Sequence, residues 1–375
     1  METNSDVLII GGGLAGLTAA IHLSQKNLKV TLIEKSGFPR HKVCGEYISN
    51  EILPYLKWLG ADVSELNPTN ISKFEFTSNN GKAARAKLPL GGFGISRFAL
   101  DDFLYQKALA ASCTILKENV TDISFSNDVF TVTTSIQILT AKIVLGAYGK
   151  RSNVDQVLHR NFFHKKSPWL AVKAHYAGSL DPTLVALHNF KGGYCGVSKV
   201  EDNIINICYL ADYATFKQYK NIEDYQQHVL YKNKHLKSVF ENSTLLFDKP
   251  LTISQISFDK KQAVENHIIM IGDTAGLIHP LCGNGMAMAI HSAKIASELI
   301  LEYYAIKGMN REALENNYTK EWKKHFGKRI NMGRILAQLL TYKTITNIFV
   351  AIVASFPGLL PGIIKQTHGK PIAIN

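Results

Sequence analysis

Four groups of residues in this chain have the types and spacing to do chemistry. The first is Gly11-Gly12-Gly13-Leu14-Ala15-Gly16, which fits Gly-x-Gly-x-x-Gly, with Glu34 about 20 residues beyond. Such a set holds a dinucleotide: Gly11 allows a tight turn, Gly13 lets backbone approach a pyrophosphate, and Gly16 lets the helix pack close to the strand. The helix N-terminus adds free N–H groups and a positive dipole end. Glu34 can accept hydrogen bonds from a ribose 2′-OH and would repel a 2′-phosphate.

The second group is Gly272-Asp273, followed by Pro280, Gly283, Gly285 and Met286. An apolar run, His267 to Ile271, delivers Asp273 where its carboxylate can hold a sugar-alcohol hydroxyl. The bare loop then opens a helix whose N-terminus favours developing negative charge. The third is Arg97 in Arg-x-x-Leu-Asp, which can serve phosphates or pair with Asp101 or Asp102. The fourth is Cys44, close to Arg40 and Lys42, which can lower a thiol pKa. The competing reading of Cys44 is a buried small hydrophobe. His41, His279 and His291 are acid–base groups by type only and receive no catalytic role.

The elements that must position these groups follow from the hydrophobic pattern. Val7 to Ile10 reads as a buried strand, Leu14 onward as a helix, and Lys29 to Ile33 as a second strand. Residues 37–50 are loop-like, 71–95 suggest strands, and Arg97 to Ala111 a helix. Val129 to Thr134 and Ala141 to Leu145 read as strands, the latter ending in Gly146-Ala147-Tyr148-Gly149. Residues 169–210 are strand-rich, and 211–240 are helical with a Lys-rich exposed face. The expected architecture is α/β, with a nucleotide-binding domain split into 1–70, 97–155 and 256–300. A substrate domain at 71–96 and 156–255 is inserted into it, and 301–375 forms a helical C-terminal region.

At 375 residues, with 46% hydrophobic and 19% charged residues, the chain suits a globular protein of about two domains. Its five cysteines are scattered without a Cys-x-x-Cys pair, so neither a disulfide framework nor a metal site is expected, and the compartment reads as reduced and cytoplasmic. The N-terminus lacks a signal-peptide pattern. The net charge of +12 would suit nucleic acid, anionic lipid or an acidic substrate. No RNA-reading or helix-turn-helix pattern accompanies it, so nucleic acid is not an expected partner.

From Ile348 to Ile364 runs an uncharged stretch of 17 residues. A spanning helix needs about 20 apolar residues, and Pro-Gly occurs twice here. The expectation is a tail resting peripherally on a membrane, walling a lipophilic substrate tunnel, or packed on the protein's own core.

The motifs at 11–16 with Glu34, at 146–152 and at 272–285 together resemble the flavoproteins of para-hydroxybenzoate hydroxylase type, over about the first 300 residues. Phe38-Pro39-Arg40-x-Lys42-x-Cys44-Gly45-Glu46 and Gly272-Asp273-x-Ala275-Gly276 are most similar to the geranylgeranyl reductase branch. The resemblance implies a Rossmann-type, glutathione-reductase-like FAD-binding domain, an inserted antiparallel-sheet substrate domain and a helical tail. It implies FAD held by Gly11, Gly13, Leu14, Ala15, Gly16, Glu34, Lys35, Arg40, Cys44, Gly45, Arg97, Val120, Gly149, Gly272, Asp273, Pro280, Gly283, Gly285 and Met286. Family members often have Asp-Gly at Tyr148-Gly149, so the nicotinamide contact departs from the pattern.

The expected function is an FAD-dependent oxidoreductase, a monooxygenase or reductase of a lipophilic or aromatic small molecule. NAD(P)H or an electron-carrier protein would be its electron donor. A prenyl double-bond reductase is the alternative within the same scaffold. A flavin halogenase would carry Trp-x-Trp-x-Ile-Pro, whereas Trp58, Trp169 and Trp322 are isolated. An FAD-binding electron-transfer module is the non-enzymatic alternative.

Overall fold

The computed structural model describes residues 4–254, 256–306 and 308–374. β1 (Ser5–Ile10), α1 (Leu14–Ser24) and β2 (Val30–Ile33) form the opening βαβ unit, followed by β3 (Tyr47–Ser49), α2 (Leu53–Trp58), β4 (Thr69–Thr77) and β5 (Ala83–Gly94). Then come α3 (Arg97–Ala110), β6 (Thr114–Leu116), β7 (Val120–Ser126), β8 (Val129–Thr134) and β9 (Ile138–Gly146). After the short α4 (Asn153–Val157) lie β10 (Trp169–Gly178), β11 (Leu184–Phe190), β12 (Gly193–Lys199) and β13 (Ile205–Asp212). The helices α5 (Tyr213–Phe216), α6 (Ile222–His228) and α7 (Lys234–Glu241) precede β14 (Ser243–Leu245), β15 (Leu251–Ser254), β16 (Val264–Glu265) and β17 (Ile268–Met270). α8 (Gly285–Ala305), α9 (Arg311–Thr341), α10 (Lys343–Ser355) and α11 (Leu359–Thr367) close the fold.

The first sheet has eight strands in the order β16-β17-β9-β1-β2-β6, with the β7–β8 hairpin attached to β9. β1 is central and parallel to β2 and β9, with Val7 opposite Val30 and Ile143. Both faces are covered, which is why β1 reads as an unbroken apolar run. α1, α3 and α8 supply one cover, burying Leu17, Ala20, Leu104 and Ile290 beside Ile9. On the other face Leu8 and Ile10 pack with Phe130 and Val132 of β8.

The second sheet has nine strands, β14-β10-β13-β12-β11-β4-β5-β3, with β15 also on β10. Its pairings are antiparallel except β4 with β11. α6 and α7 cover one region of it around Tyr225 and Leu236. β3 belongs to this sheet although it lies inside the 1–70 stretch expected for the nucleotide domain. It pairs with β5 through Tyr47–Gly94 and Ser49–Gly92, and the bare Gly92 leaves room for the Tyr47 ring.

The C-terminal helices return to the second sheet. Val350 and Val353 of α10, and Leu360 and Ile364 of α11, are buried against Phe76, Leu88 and Leu187. Burying one such side chain contributes about 1.5–3 kcal/mol. The Ile372 N–H donates to the Glu51 carbonyl at 2.8 Å and the Arg329 guanidinium lies 3.3 Å from the Glu51 carboxylate, tying the tail to the first domain.

Candidate functional site

The three motif glycines have different physical jobs. Gly11 has φ of +111°, and a Cβ there would run into the Ala147 carbonyl. A Cβ at Gly16 would collide with the Gly11 carbonyl, so α1 crosses the loop only because Gly16 is bare. Gly13 differs: a Cβ there would find its nearest neighbour, Arg97 Nη2, at 4.0 Å. It faces the open end of a cavity, with Gly13 as an N-cap that makes no side-chain hydrogen bond and no acid in the first turn of α1.

Glu34 is already heavily engaged. Its Oε2 accepts the Gly12 N–H at 2.8 Å, and its Oε1 accepts the Ser36 N–H and Arg40 Nη2, each at 2.9 Å. An ionised carboxylate has roughly four acceptor sites. Glu34 thus holds the glycine loop and Arg40 in place and has limited capacity left for a ribose.

Arg97 makes the Asp101 pair and faces the cavity at once. Asp101 is fully buried and accepts Arg97 Nε at 2.6 Å, Arg97 Nη2 at 2.7 Å and Lys42 Nζ at 2.7 Å. Burial alone would raise the Asp101 carboxyl, but Arg97 and Lys42 outweigh it and hold it below the ordinary carboxylate value. Bidentate pairing fixes the guanidinium plane. The buried carboxylate therefore aims a cation at the mouth of the glycine loop.

The 272–286 segment is fastened to the 146–152 segment. The Gly149 N–H donates to Thr274 Oγ1 at 2.8 Å, and Lys261 Nζ donates to the carbonyls of Lys150 and Asp273, each at 2.9 Å. Burial lowers the Lys261 ammonium to about 8. Gly272 has φ of +62° and donates to Ser292 Oγ at 2.8 Å. Gly283, at φ +62°, ends a short turn begun by Pro280, and α8 starts at Gly285 without a side-chain cap or an acid in its first turn. Two uncapped helix N-termini, those of α1 and α8, thus open onto one cavity.

Cys44 lies on the cavity wall, its Sγ 3.4 Å from Met286 Sδ, and its carbonyl accepts Asn206 Nδ2 at 3.3 Å. The cations expected beside it are held by other groups, Arg40 by Glu34 and Lys42 by Asp101. Behind it stands a cluster that the sequence reading missed. Glu46 is fully buried and accepts Lys173 Nζ at 2.9 Å, His175 Nε2 at 2.7 Å and the Arg97 N–H at 2.8 Å. Burial would raise the Glu46 carboxyl, while His175 and Lys173 hold it down. A Lys and a His inside the otherwise apolar run Leu170 to Tyr176 were the available signal.

Of the expected cofactor residues, Gly11, Gly13, Leu14, Ala15, Glu34, Lys35, Arg40, Cys44, Gly45, Arg97, Gly149, Gly272, Asp273, Pro280, Gly283, Gly285 and Met286 line the same cavity of about 680 Å³. Gly16 sits just behind it. Val120, at the start of β7, packs its side chain with Ile33 and Phe130 in the core, so only its backbone could serve a cofactor. Among the histidines, His41 is at the cavity wall between Phe98 and Phe247, and burial lowers its pKa to about 4. His279 and His291 lie outside the lining. Tyr148 places its hydroxyl 3.4 Å from Met270 Sδ, and burial pushes the phenol up, so it brings no charge at neutral pH.

These residues fit FAD. Bare backbone at Gly13 and Gly149 faces the cavity, the α1 N-terminus with Arg97 suits the pyrophosphate, and Asp273 in the cavity lining suits a hydroxylated chain. The α8 N-terminus suits the electron-rich edge of a reduced flavin. Beyond Cys44 and Met286 the same cavity continues between the second sheet and the C-terminal helices. There it is walled by Phe74, Phe76, Leu187, Leu340, Phe349 and Leu360.

Residues 6–43 match the family described as FAD dependent oxidoreductase. Conditioned medium factor receptor 1 of Dictyostelium discoideum is 24% identical over 90% of this chain and 71% of its own length. Digeranylgeranylglycerophospholipid reductase of Methanosarcina acetivorans is 25% identical over 90% of this chain and 84% of its own. Among solved structures, a flavoprotein/dehydrogenase from Cytophaga hutchinsonii superposes with a TM-score of 0.80 at 17% identity, covering 96% of this chain and 92% of that one. A geranylgeranyl bacteriochlorophyll reductase-like protein from Thermoplasma acidophilum gives 0.73 at 19% identity, covering 96% of each. The fold is that of the FAD-binding flavoproteins.

Proposed function

We propose that this FAD-dependent oxidoreductase saturates carbon–carbon double bonds in the prenyl chain of a lipid-like substrate. The carrying observation is the single cavity with two unlike ends: a polar nucleotide end and an apolar end walled by aromatic and aliphatic side chains. A prenyl chain needs such an uncharged slot and nothing to hydrogen-bond it. The name of the Methanosarcina acetivorans relative, a digeranylgeranylglycerophospholipid reductase, supports the same substrate class.

Saturation adds one hydride and one proton across the alkene, so one π bond is lost and two C–H bonds form. FAD, when bound and once reduced by the electron donor, would supply the hydride and be left oxidised. The chain's own residues do the rest. Arg97, oriented by Asp101, and the α1 N-terminus hold the phosphates. The aromatic wall at Phe74, Phe76 and Phe349 orients the substrate and keeps water away. Cys44 Sγ, beside Met286, is the group we assign to hold the proton at the junction of the two ends. Electrons enter from NAD(P)H or an electron-carrier protein.

The hydroxylating alternative uses the same nucleotide end and could fill the same apolar slot; the relative's name favours saturation over it. The halogenase alternative is opposed by the tryptophans, since Trp58, Trp169 and Trp322 are all absent from the cavity lining.

The test is anaerobic. Chemically reduced holoprotein mixed with a geranylgeranyl lipid should recover its oxidised flavin spectrum and yield the saturated chain by mass spectrometry. Reoxidation only on admitting air, with oxygen built into the product, would overturn the reading. Cys44→Ser should slow turnover while leaving flavin affinity unchanged. Equal turnover, with no substrate protection of Cys44 from alkylation, would reduce Cys44 to a piece of wall.

A further inference from the structure

The helices that wall the apolar end also carry apolar residues on their outer side. Ile335, Leu339, Ile345, Ile348, Ile352 and Phe356 are each 39–64% exposed. Tyr342 and Leu359 join them, so eight of the 19 large apolar side chains exposed among the described residues fall between positions 335 and 359. On α10 the spacing Ile345, Ile348, Ile352 marks one helical face, opposite the buried Val350 and Val353. A helix that only covers a protein core turns a polar face outward. α10 does not, and an exposed apolar patch of this kind marks an interaction site.

Charge selects the partner. The 54 residues after Glu321 contain eight Lys and Arg and no Asp or Glu. Lys365, on the helix that follows the apolar face, and Lys370 are exposed. A second copy meeting this face across a two-fold axis would set like charges against each other. An anionic bilayer satisfies both features, with acyl chains for the isoleucines and headgroups for the cations. Among the described residues no single helix is long and apolar enough to cross a membrane, and α9 and α10 are bent by 112° relative to each other. A sharp bend of this kind lets the apolar outer face lie along a membrane surface.

We infer that the outer face of the α9 C-terminus, α10 and the Phe356–Leu359 turn docks on an anionic membrane, which brings the apolar end of the cavity to the lipid. Leu340, Phe349 and Leu360 line the cavity from the inner side of the same layer. Entry of a prenyl lipid through this face rests on the proposed reaction; the docking itself does not.

The experiment is co-sedimentation of the full-length holoprotein with vesicles, without substrate. Vesicles containing phosphatidylglycerol should bind it at least roughly tenfold better than pure phosphatidylcholine, and high salt should weaken the binding. The double variant Ile348→Glu/Ile352→Glu should lose vesicle binding while keeping its flavin and its melting temperature, because both side chains point away from the core. Protein left in the supernatant with both vesicle types, or binding untouched by the double variant, would overturn the inference. A lipid-free dimer in sedimentation velocity that the double variant abolishes would overturn it too, in favour of self-association. Vesicle binding without any alkene reduction would leave docking intact and remove only the proposed reaction.

Discussion

The two ends of the cavity are built by opposite strategies. At the nucleotide end, short segments supply backbone N–H groups, and buried carboxylates position them: Glu34 holds the glycine loop, Asp101 holds Arg97, and Glu46 holds Lys173 and His175. At the apolar end there is almost no hydrogen bonding to specify, and shape comes from side chains on β4, β5 and β11 packed against α10 and α11. The polar end is therefore brittle: removing one partner leaves a buried charge. The apolar end is tolerant, since hydrophobic walls accept changes of volume at modest cost. Substrate range should drift at one end while the cofactor stays fixed at the other.

That contrast can be broken most sharply at Gly13. Its Cβ direction is open, so Gly13→Val should fold, yet the branched side chain occupies the pyrophosphate path. FAD occupancy of the purified protein, read from its absorbance, should fall nearly to zero while the melting temperature of the apo-protein is unchanged. Gly16→Val, by contrast, should fail to fold, because its Cβ meets backbone.

Asp101→Ala comes next. It leaves the half-buried Arg97 and Lys42 without their shared counter-charge, for which the cost of breaking a buried pair, about 3–5 kcal/mol, is an upper bound. The pH dependence has a definite sign. The folded carboxyl is held below its ordinary value of 3.8, so its contribution is complete above that value and is lost as pH falls through the folded pKa. Wild-type melting temperature should drop in acid more steeply than that of Asp101→Asn. Parallel acid profiles would show that the pair is not stabilising.

Glu34→Ala should weaken FAD by roughly ten- to a hundredfold, the loss of charge-assisted hydrogen bonds of about 1.5–3 kcal/mol. Since the carboxylate braces the Gly12 N–H and Arg40, the loss should appear equally for a deoxyribose analogue of the cofactor. A loss confined to the ribose form would restore Glu34 to direct ribose binding.

The smallest effect belongs to the other end. Phe349→Ala, on the cavity wall, should leave flavin affinity unchanged and shift the preferred prenyl chain length, with KM changing only a few-fold. A change in flavin affinity would mean the two ends are coupled.

How much was legible beforehand follows the same division. The glycine turn and the helix opening at Gly285 were readable because each is a local pattern whose physics acts within a few residues. The resemblance carries no information about which way a strand residue points, and the Val120 side chain points into the core. Glu46 stands in a short sequence motif, but its partners Lys173 and His175 lie 127 and 129 residues away. Lys261, which fastens Lys150 to Asp273, and Asp101 as the holder of both Arg97 and Lys42 were equally invisible as a set.

The sequence by itself determined the kind of cofactor site this chain builds, because backbone turns, helix starts and a strand-end acid are set by residues close together. Only the tertiary structure decided that Glu34 and Asp101 brace the site, and that the C-terminal helices close its apolar end. Those facts depend on which side chains meet across sheets and between distant segments. That meeting is set by burial and packing of the whole fold, which no local spacing encodes.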